Sequence, residues 1–332
     1  MDVLSDVLRT IRLQGSLFLH GEFKHPWCVQ TPGGDQLAGM LLPGVQQLAV
    51  CHFVLEGECW VQLPGGESRH LQTGDVAVFA QGDPHLLGSG MQLMPVRFDQ
   101  VVQTRLPDLN CVRYGGDGAR TLLVCGWFAF EQEMVNPFTA TLPALFSASL
   151  ASRPAGDWIA QSIRHALREA TSPHAGSEAM AAKLAELLFV EALRAYIESL
   201  PPLQTGWLAG LRDPQIGQCL ALLHADPARD WTVTELAQAV HMSRSVLAQR
   251  FAELVDMPPM NYLKQWRLSL AAGMLKNGRN SLARIAERIG YGSEAAFSRA
   301  FRQAYGMAPG QWRRGMTMPL DERVAAAAAR LH

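Results

Sequence analysis

The sequence predicts a multidomain α+β fold, in which an N-terminal all-β unit with flanking helices precedes an all-α C-terminal domain. From about residue 17 to residue 130, short apolar runs are broken by Gly, Pro and Asp, which is typical of strands and turns. Two long segments, 157–169 and 178–200, lack Gly and Pro and carry apolar residues at helical spacing. The 332 residues, 48% of them hydrophobic, are enough for more than one core.

Charge is distributed unevenly along the chain, although the net charge is only −1. Residues 1–206 hold 13 Lys and Arg against 20 Asp and Glu, a balance of −7. Residues 207–315 hold 14 against 8, a balance of +6. Because local charge steers association, an acidic partner such as nucleic acid is expected to bind the C-terminal part.

The N-terminus begins with acidic residues where a secretory signal would be basic, and an apolar set from Val3 to Ile11 follows helical spacing. The sequence therefore predicts a short amphipathic helix in a cytoplasmic protein. The apolar stretch from Leu37 to Leu55 is interrupted by Pro, Gly, Gln and His, so no membrane span is expected. Six cysteines without CxxC spacing predict reduced, mostly buried thiols: Cys28, Cys51, Cys59, Cys111, Cys125 and Cys219.

Within the β unit, the clearest predicted hairpin runs from Leu48 to Leu63, where two apolar runs meet at Glu56-Gly57-Glu58. A further strand over 76–79 is expected after the turn at Gly74-Asp75. Pro201 and Pro202 end the second long helix and open a short linker to about Gly210, which indicates a domain boundary.

The segment from Thr232 to Phe251 predicts a helix-turn-helix unit. Thr234 is expected to cap the first helix and Ser243 the second, on either side of a turn at His241-Met242. The predicted core positions are Leu236, Ala237, Val240, Val246, Leu247 and Phe251, and the predicted groove-facing positions are Arg244, Ser245, Ala248 and Gln249.

Fifty residues later the same pattern returns between Ser281 and Phe301. Ser281 and Ser293 are the expected caps, and Gly290-Tyr291-Gly292 forms the expected turn. The inward positions of this second unit are Ile285, Ala286, Ile289, Phe297 and Phe301, and its exposed positions are Glu294, Ala295, Ser298 and Arg299. Two such units in register within a basic segment indicate DNA binding far more strongly than one.

Between the two units, residues 259–275 predict one rigid helix that begins with prolines suited to a helix N-terminus. At 1.5 Å per residue it spans about 24 Å. Adjacent major grooves on one DNA face lie about 34 Å apart, so a monomer is expected to read two successive grooves with some bending of the DNA.

Residues 212–314 resemble the AraC/XylS family of transcription regulators. The run ARIAERIGYGSEAAFSRAFRQAYGMAPGQWRR resembles the second unit and C-terminal signature of that family. Gln249 departs from the family pattern, which commonly has arginine there, and a glutamine is suited to bidentate pairing with adenine. The residues expected to contact DNA are Ser243, Arg244, Ser245, Gln249, Ser293, Glu294, Ala295, Ser298, Arg299 and Arg302.

The runs HFVLEGECWVQL and LQTGDVAVFAQGDPHLL resemble the cupin-type ligand domain of some AraC-family regulators, which implies a cupin-like β-barrel. His85 falls where metal-binding cupins have a ligand histidine, but the usual carboxylate position holds Val50 and no HxH pair precedes it. His52 and Glu56 share a strand face, and together with His85 they form an alternative, unorthodox ligand set. Because the ligand set is deficient, we expect no bound metal and no cofactor.

The resemblance implies that the N-terminal domain binds a small effector among its inward side chains. The candidate pocket residues are Trp27, Cys28, His52, Trp60 and His85, and each of them also fits a purely structural role. The strand alternation separates Cys51, Phe53 and Leu55 from His52 and Val54 without deciding which face is inside. Oxidation of Cys28 is a second conceivable input, since exposed thiolates react selectively.

The sequence as a whole predicts a non-enzymatic, effector-responsive transcription regulator that binds a double-stranded DNA operator. The resemblance also implies a homodimer supported by the apolar helix over 178–200, and contact with RNA polymerase if the protein is an activator. One alternative is a cupin-type metal-dependent enzyme with an appended DNA-binding domain, and another is an architectural DNA binder without an effector. The expected domains are a cupin-like domain at 1–155, a helical dimerisation segment at 156–200, a linker at 201–210, the DNA-binding domain at 211–315 and a tail at 316–332.

Overall fold

The computed structural model describes residues 2–11, 13–41, 48–102, 110–129, 142–169, 175–201, 204–277 and 280–317. The described residues form two compact units. We call the described residues of 13–129 and 142–199 the β unit, and those of 2–11 and 200–317 the helical unit. The predicted tail from residue 316 lies almost entirely outside the described residues.

Two sheets make up the β unit. One has six strands in the order β11-β6-β3-β10-β1-β9, and the other has five in the order β5-β4-β7-β2-β8. The strands are β1 (Gln14–Lys24), β2 (Cys28–Thr31), β3 (Ala49–Glu56), β4 (Glu58–Gln62), β5 (Ser68–Gln72), β6 (Asp75–Phe79), β7 (His85–Gly88), β8 (Val96–Arg97), β9 (Asn110–Gly115), β10 (Arg120–Ala129) and β11 (Leu145–Ser149).

An apolar core fills the space between these two sheets. It takes Val50 and Val54 from β3 and Cys59 and Val61 from β4, so residues of both sheets meet there. The sheets are not closed on each other among the described strands, so the predicted cupin-like β-barrel is present as two facing sheets and not as a continuous barrel. The alternation along β3 also decides a question that the sequence left open, because His52 lies on the core side with Val50 and Val54.

The two strands of the predicted hairpin between Leu48 and Leu63 are present as β3 and β4, but they do not pair with each other. β3 pairs with β6 and β10, whereas β4 pairs with β5 and β7 in the other sheet. Gly57 is therefore a corner at which the chain crosses from one sheet to the other. It has φ +80°, and a Cβ there would lie 2.3 Å from the carbonyl oxygen of Arg120, so the corner needs glycine.

The outer face of the six-stranded sheet is covered by helix α5 (Ser177–Ser199). Phe189 of α5 packs on Phe128 of β10 with ring centroids 4.8 Å apart. The buried positions of α5 include Ala181, Leu188 and Leu193. Much of the apolar face assigned from the sequence to a dimer contact is thus used within the β unit. The other helices of this unit are α2 (Gly34–Leu41), α3 (Phe98–Val101) and α4 (Pro154–Glu169).

The helical unit begins with α1 (Val3–Ile11), which packs against two helices from the C-terminal third of the chain, Pro214–Ala225 and Pro259–Asn277. Among the described residues no helix has the length and apolarity needed to cross a bilayer. The C-terminal helices are α6 (Trp207–Arg212), α7 (Pro214–Ala225), α8 (Val233–Ala239), α9 (Arg244–Val255), α10 (Pro259–Asn277), α11 (Leu282–Arg288), α12 (Glu294–Tyr305) and α13 (Pro309–Thr317).

Candidate DNA interface and sensor core

The first helix pair consists of α8 and α9. A capping box begins α8, in which Thr232 Oγ1 accepts from the backbone N–H of Glu235 and the Glu235 carboxylate accepts from the backbone N–H of Thr232. The predicted cap at Thr234 is therefore wrong by two residues, because the T-x-x-E spacing starts at Thr232. Ser243 caps α9 as predicted and accepts from the backbone N–H of Val246.

The predicted core positions Leu236, Ala237, Val240, Leu247 and Phe251 of the first pair are all buried. The turn is closed by a hydrogen bond from the backbone N–H of Met242 to the carbonyl of Ala237, 2.9 Å long.

Val246 departs from the predicted core of this pair, because its side chain is 50% exposed. Successive residues of a helix point in directions about 100° apart. With Leu247 buried, the preceding Val246 therefore faces outward.

The second helix pair, α11 and α12, repeats this construction. Ser281 and Ser293 cap its helices, and the backbone N–H of Tyr291 donates to the carbonyl of Ala286 over 2.9 Å. The repeat extends to the helix lengths, which are 7 and 12 residues in both pairs. Phe297 and Phe301 are buried with Trp312 in one apolar cluster.

On the exposed face of α9 lie Arg244, Ser245 and Gln249. The Gln249 side-chain amide donates to the carboxylate of Glu253, one turn further along, over 2.8 Å. This bond uses one of the two amide N–H groups and leaves the other N–H and the carbonyl oxygen available. Arg250 points elsewhere and pairs with Asp213, so this face has one cation, at its N-terminal end.

On α12, Glu294, Ala295, Arg299 and Arg302 are exposed, and Ser298 is half-buried. Within the described part of the chain, neither arginine is held by an ion pair. Arg299 occupies the position in α12 that Gln249 occupies in α9, six residues after the serine cap. The two exposed faces therefore have the same geometry and different charge.

Between the sheets of the β unit, a hydrogen-bonded chain joins His85, His52 and Cys125. His85 Nδ1 lies 2.8 Å from the carbonyl oxygen of Asp83, and its Nε2 lies 2.7 Å from His52 Nε2. His52 Nδ1 in turn lies 2.9 Å from Cys125 Sγ. Since a carbonyl only accepts, His85 Nδ1 donates, His52 Nε2 donates to His85, and the Cys125 thiol donates to His52.

Burial holds this chain in its neutral form. It lowers the pKa of His85 to about 4 and that of His52 well below its ordinary value, and the neighbouring His85 lowers the latter further. Burial likewise raises the pKa of the Cys125 thiol well above its ordinary value, with Cys51 and Cys59 acting in the same direction. Each imidazole nitrogen has a partner, so the two histidines are satisfied within the β unit.

The remaining candidate pocket residues are dispersed. Trp27 is buried and stacks on Phe23 with ring centroids 4.3 Å apart. Cys28 is buried, and burial raises the pKa of its thiol, which reduces its reactive thiolate fraction. Trp60 lies on the other face of β4 from the core residues Cys59 and Val61 and stacks on His70. The structure thus separates Trp60 from the two histidines and adds Cys125 to them.

The donor set does not suit a metal ion. The two Nε2 atoms are at hydrogen-bond distance, whereas two imidazole ligands of tetrahedral zinc lie about 3.3 Å apart. Glu56 extends toward solvent and pairs with Arg120. Among the described residues no group of three or more His, Cys, Asp or Glu side chains is arranged to hold a metal.

Comparison with known families gives two matches on this chain. The cupin family matches residues 2–198, and a helix-turn-helix domain family matches residues 236–315. The second match includes most of the first helix pair and all of the second.

Relatives are similar over nearly the whole chain. An AraC-like transcription regulator of Streptomyces lividans is 36% identical over 96% of this chain and 100% of its own length. Another, from Streptomyces antibioticus, is 33% identical over 95% of this chain and 99% of its own. The RCS-specific transcriptional activator RclR of Escherichia coli is 27% identical over 94% of this chain and 97% of its own.

Among solved structures, the DNA-binding domain of AdpA in complex with a target DNA is similar at 27% identity. The similarity covers 31% of this chain and 91% of that chain, with a TM-score of 0.30. On the strength of the two family matches and the full-length relatives, the chain belongs to the AraC-like transcription regulators with an N-terminal cupin domain.

Proposed function

We propose that this transcription regulator reads DNA with its two helix pairs, each placing the N-terminal half of its second helix in a major groove. The observation that carries the proposal is the repeated geometry of α9 and α12, which have serine caps, equal lengths and exposed polar faces. Helix α10 joins the pairs and spans about 28 Å at 1.5 Å per residue. This length favours contact with two successive grooves.

The two faces would contribute differently. Arg299 is suited to bidentate pairing with guanine or to a phosphate contact, and Arg302 adds a second cation beside it. Gln249 is suited to adenine, because Glu253 takes one amide N–H and leaves a carbonyl oxygen and an N–H for the base edge. Ser243, Arg244 and Ser245 on the first face, and Ser293, Glu294, Ala295 and Ser298 on the second, complete the proposed contact surface.

The β unit would sense a small effector in the space between its sheets. Its support is the Trp27 indole N–H, which is buried without a hydrogen-bond partner in the described part of the structure. An unsatisfied buried donor is costly, and an acceptor oxygen on a ligand would relieve that cost. Cys28, His52 and His85 remain candidate wall residues, and Trp60 is the weakest because of its outward position.

The protein would act as a homodimer in the cytoplasm. If it is an activator, RNA polymerase would be its further partner. The name of the Escherichia coli relative describes an activator, and the names of the AraC-like relatives describe transcription regulators. The metal-dependent enzyme alternative finds no support in the two-histidine cluster. Sedimentation velocity of the purified chain tests the dimer, and a monomer at micromolar concentration would contradict it.

Selection of bound duplexes from a randomised DNA library tests the DNA-reading proposal. The full-length protein should enrich sequences with two short blocks whose centres lie about one helical turn, 10–10.5 base pairs, apart. A single block, or no enrichment over the input library, would contradict it.

Native mass spectrometry tests the effector proposal on the same preparation. The wild-type chain should retain a small molecule that Trp27→Phe loses, since this substitution removes the indole N–H and keeps a smaller aromatic ring beside Phe23. Equal retention by both proteins would exclude Trp27 from the effector site.

A further inference from the structure

Arg267 lies near the middle of α10, the helix that joins the two pairs, and its side chain is half-buried. Its guanidinium donates to backbone carbonyls on both sides of the helix. Nε lies 2.6 Å from the carbonyl oxygen of Pro227, and Nη2 lies 2.9 Å from that of Arg229. Nη2 also lies 3.5 Å from the Ala228 oxygen, and Nη1 lies 3.3 Å from that of Gly290.

These carbonyls belong to different parts of the helical unit. Pro227, Ala228 and Arg229 lie in the segment between α7 and α8, directly before the first helix pair. Gly290 lies in the turn of the second pair, between α11 and α12. One side chain on the joining helix is thus hydrogen-bonded at once to the segment that leads into the first pair and to the turn of the second pair.

Besides the hydrogen bonds through Arg267, the turn of the second pair packs directly against the segment before the first pair. Gly290 has φ +77°, and a Cβ there would lie 2.4 Å from the Ala228 oxygen and 2.8 Å from Arg267 Nη2. His241, the equivalent residue in the first turn, also has positive φ, at 55°, but it is exposed and accommodates a side chain. The second turn therefore needs glycine for its approach to the segment before the first pair as well as for its backbone conformation.

Arginine is well suited to this junction. Its planar guanidinium offers five N–H donors in a fixed fork, whereas a lysine ammonium is a compact point charge on a flexible stem. Burial lowers the pKa of Arg267, opposed by the nearby Tyr291, Asp230 and Asp226, and the guanidinium remains charged throughout the pH range of folded proteins.

We infer that Arg267 is a positioning residue that fixes the distance and angle between the two helix pairs, and thereby the number of base pairs between the two sequence blocks. The inference rests on the proposed reading of DNA by both pairs. A rigid junction holds α9 and α12 in one relative orientation, so a DNA whose blocks are displaced by one base pair presents one of them rotated by about 34°.

The test is the spacer dependence of DNA affinity in full-length wild type and Arg267→Lys. Duplexes from the library selection are altered by −1, +1 and +2 base pairs between the two blocks. We expect the DNA affinity of wild type to fall about tenfold or more per displaced base pair, because at least one base contact is then lost. Arg267→Lys keeps the charge but not the fork, so its profile should flatten to within about threefold across the spacers while its best affinity falls.

Lys264→Gln is the matched control. Lys264 is exposed on the same helix and donates a hydrogen bond to Gln303 of α12 over 3.3 Å, with no hydrogen bond to the first pair among the described residues, so this variant should keep the spacer profile of wild type. Circular dichroism and thermal melting verify folding, and Arg267→Gln replaces Arg267→Lys if the latter does not fold.

A profile for the Arg267 variant as steep as that of wild type would overturn the inference, as would a flat wild-type profile. The proposed function fails separately, at the earlier step, if wild type selects no two-block DNA.

Discussion

The first and second helix pairs share a scaffold but differ on the surface that faces outward and in the core beneath. Both have helices of 7 and 12 residues, serine caps on their second helices and a backbone hydrogen bond across the turn. At equivalent positions of α9 and α12, however, one has Gln249 and the other Arg299. Local packing rules fix the scaffold, whereas the exposed positions are free to differ in what they contact.

The cores differ in polarity. The cluster beneath the second pair consists of Ala, Leu, Ile, Phe and Trp side chains. Beside the first pair, the Trp207 indole N–H donates to the Tyr262 hydroxyl over 3.0 Å, and that hydroxyl is hydrogen-bonded to His224 Nε2 over 2.8 Å. His224 Nδ1 then faces the Asp6 carboxylate of α1 at 4.0 Å. A titratable group is thus buried on one side of the helical unit, among the residues described.

Removing Arg299 should produce the largest effect on this comparison. We expect Arg299→Ala to weaken binding to the selected duplex by about 1 to 3 kcal/mol if it pairs with a base, with relaxed preference at one position. If Arg299 contacts phosphate instead, the slope of log affinity against log salt concentration should become shallower by about one. Fluorescence anisotropy at several salt concentrations distinguishes the two, and unchanged affinity at all of them would remove Arg299 from the interface.

Acid should distinguish the two cores. Burial lowers the pKa of His224 to about 3, below the unfolded value of about 6.5. Below pH 6.5 the unfolded chain therefore binds a proton that the folded one does not, so stability is complete above pH 6.5 and decreases as the pH falls toward 3. At pH 5 the loss should be about 2 kcal/mol.

Native-state hydrogen exchange between pH 7 and pH 5 measures this effect locally. Amides of α7 and α8 should lose protection relative to those of α11 and α12 once intrinsic rates are corrected. In His224→Gln the difference should vanish. Equal behaviour of both regions in wild type would indicate that Asp6 stabilises a charged His224.

The smallest expected effect is that of making the two faces alike. Gln249→Arg adds one cation next to the phosphates, so we expect tighter binding and a salt slope steeper by about 0.9. Glu253 would pair with the new arginine and limit the gain. Weaker binding at low salt would instead indicate that Gln249 reads a specific base.

The helical part of the fold followed closely from the sequence, because helix caps and apolar spacing are local signals. Ser243, Ser281 and Ser293 cap as predicted. The error at Thr234 arose because two threonines compete and only Thr232 has a glutamate three residues later. Val246 was misplaced because a β-branched apolar residue next to Leu247 suggests a core position, although its direction on the helix points outward.

The β unit followed less completely, because strand pairing is not local. Apolar alternation identified β3 and β4. A glycine at a corner between sheets and a glycine in a hairpin turn look alike in sequence, so Gly57 does not indicate that the chain changes sheets there. For the same reason Cys125 was missed: it lies 73 residues from His52 and meets it only through the pairing of β3 with β10.

Hydroxyl-radical footprinting of the full-length protein on a selected duplex tests the central claim most directly. Two helix pairs that read successive grooves should protect two regions about 10 base pairs apart on one face of the DNA. Arg299→Ala should weaken protection in one region, and Gln249→Ala should change it in the other. A single protected region, or one that both substitutions affect equally, would contradict the account of two inequivalent reading units.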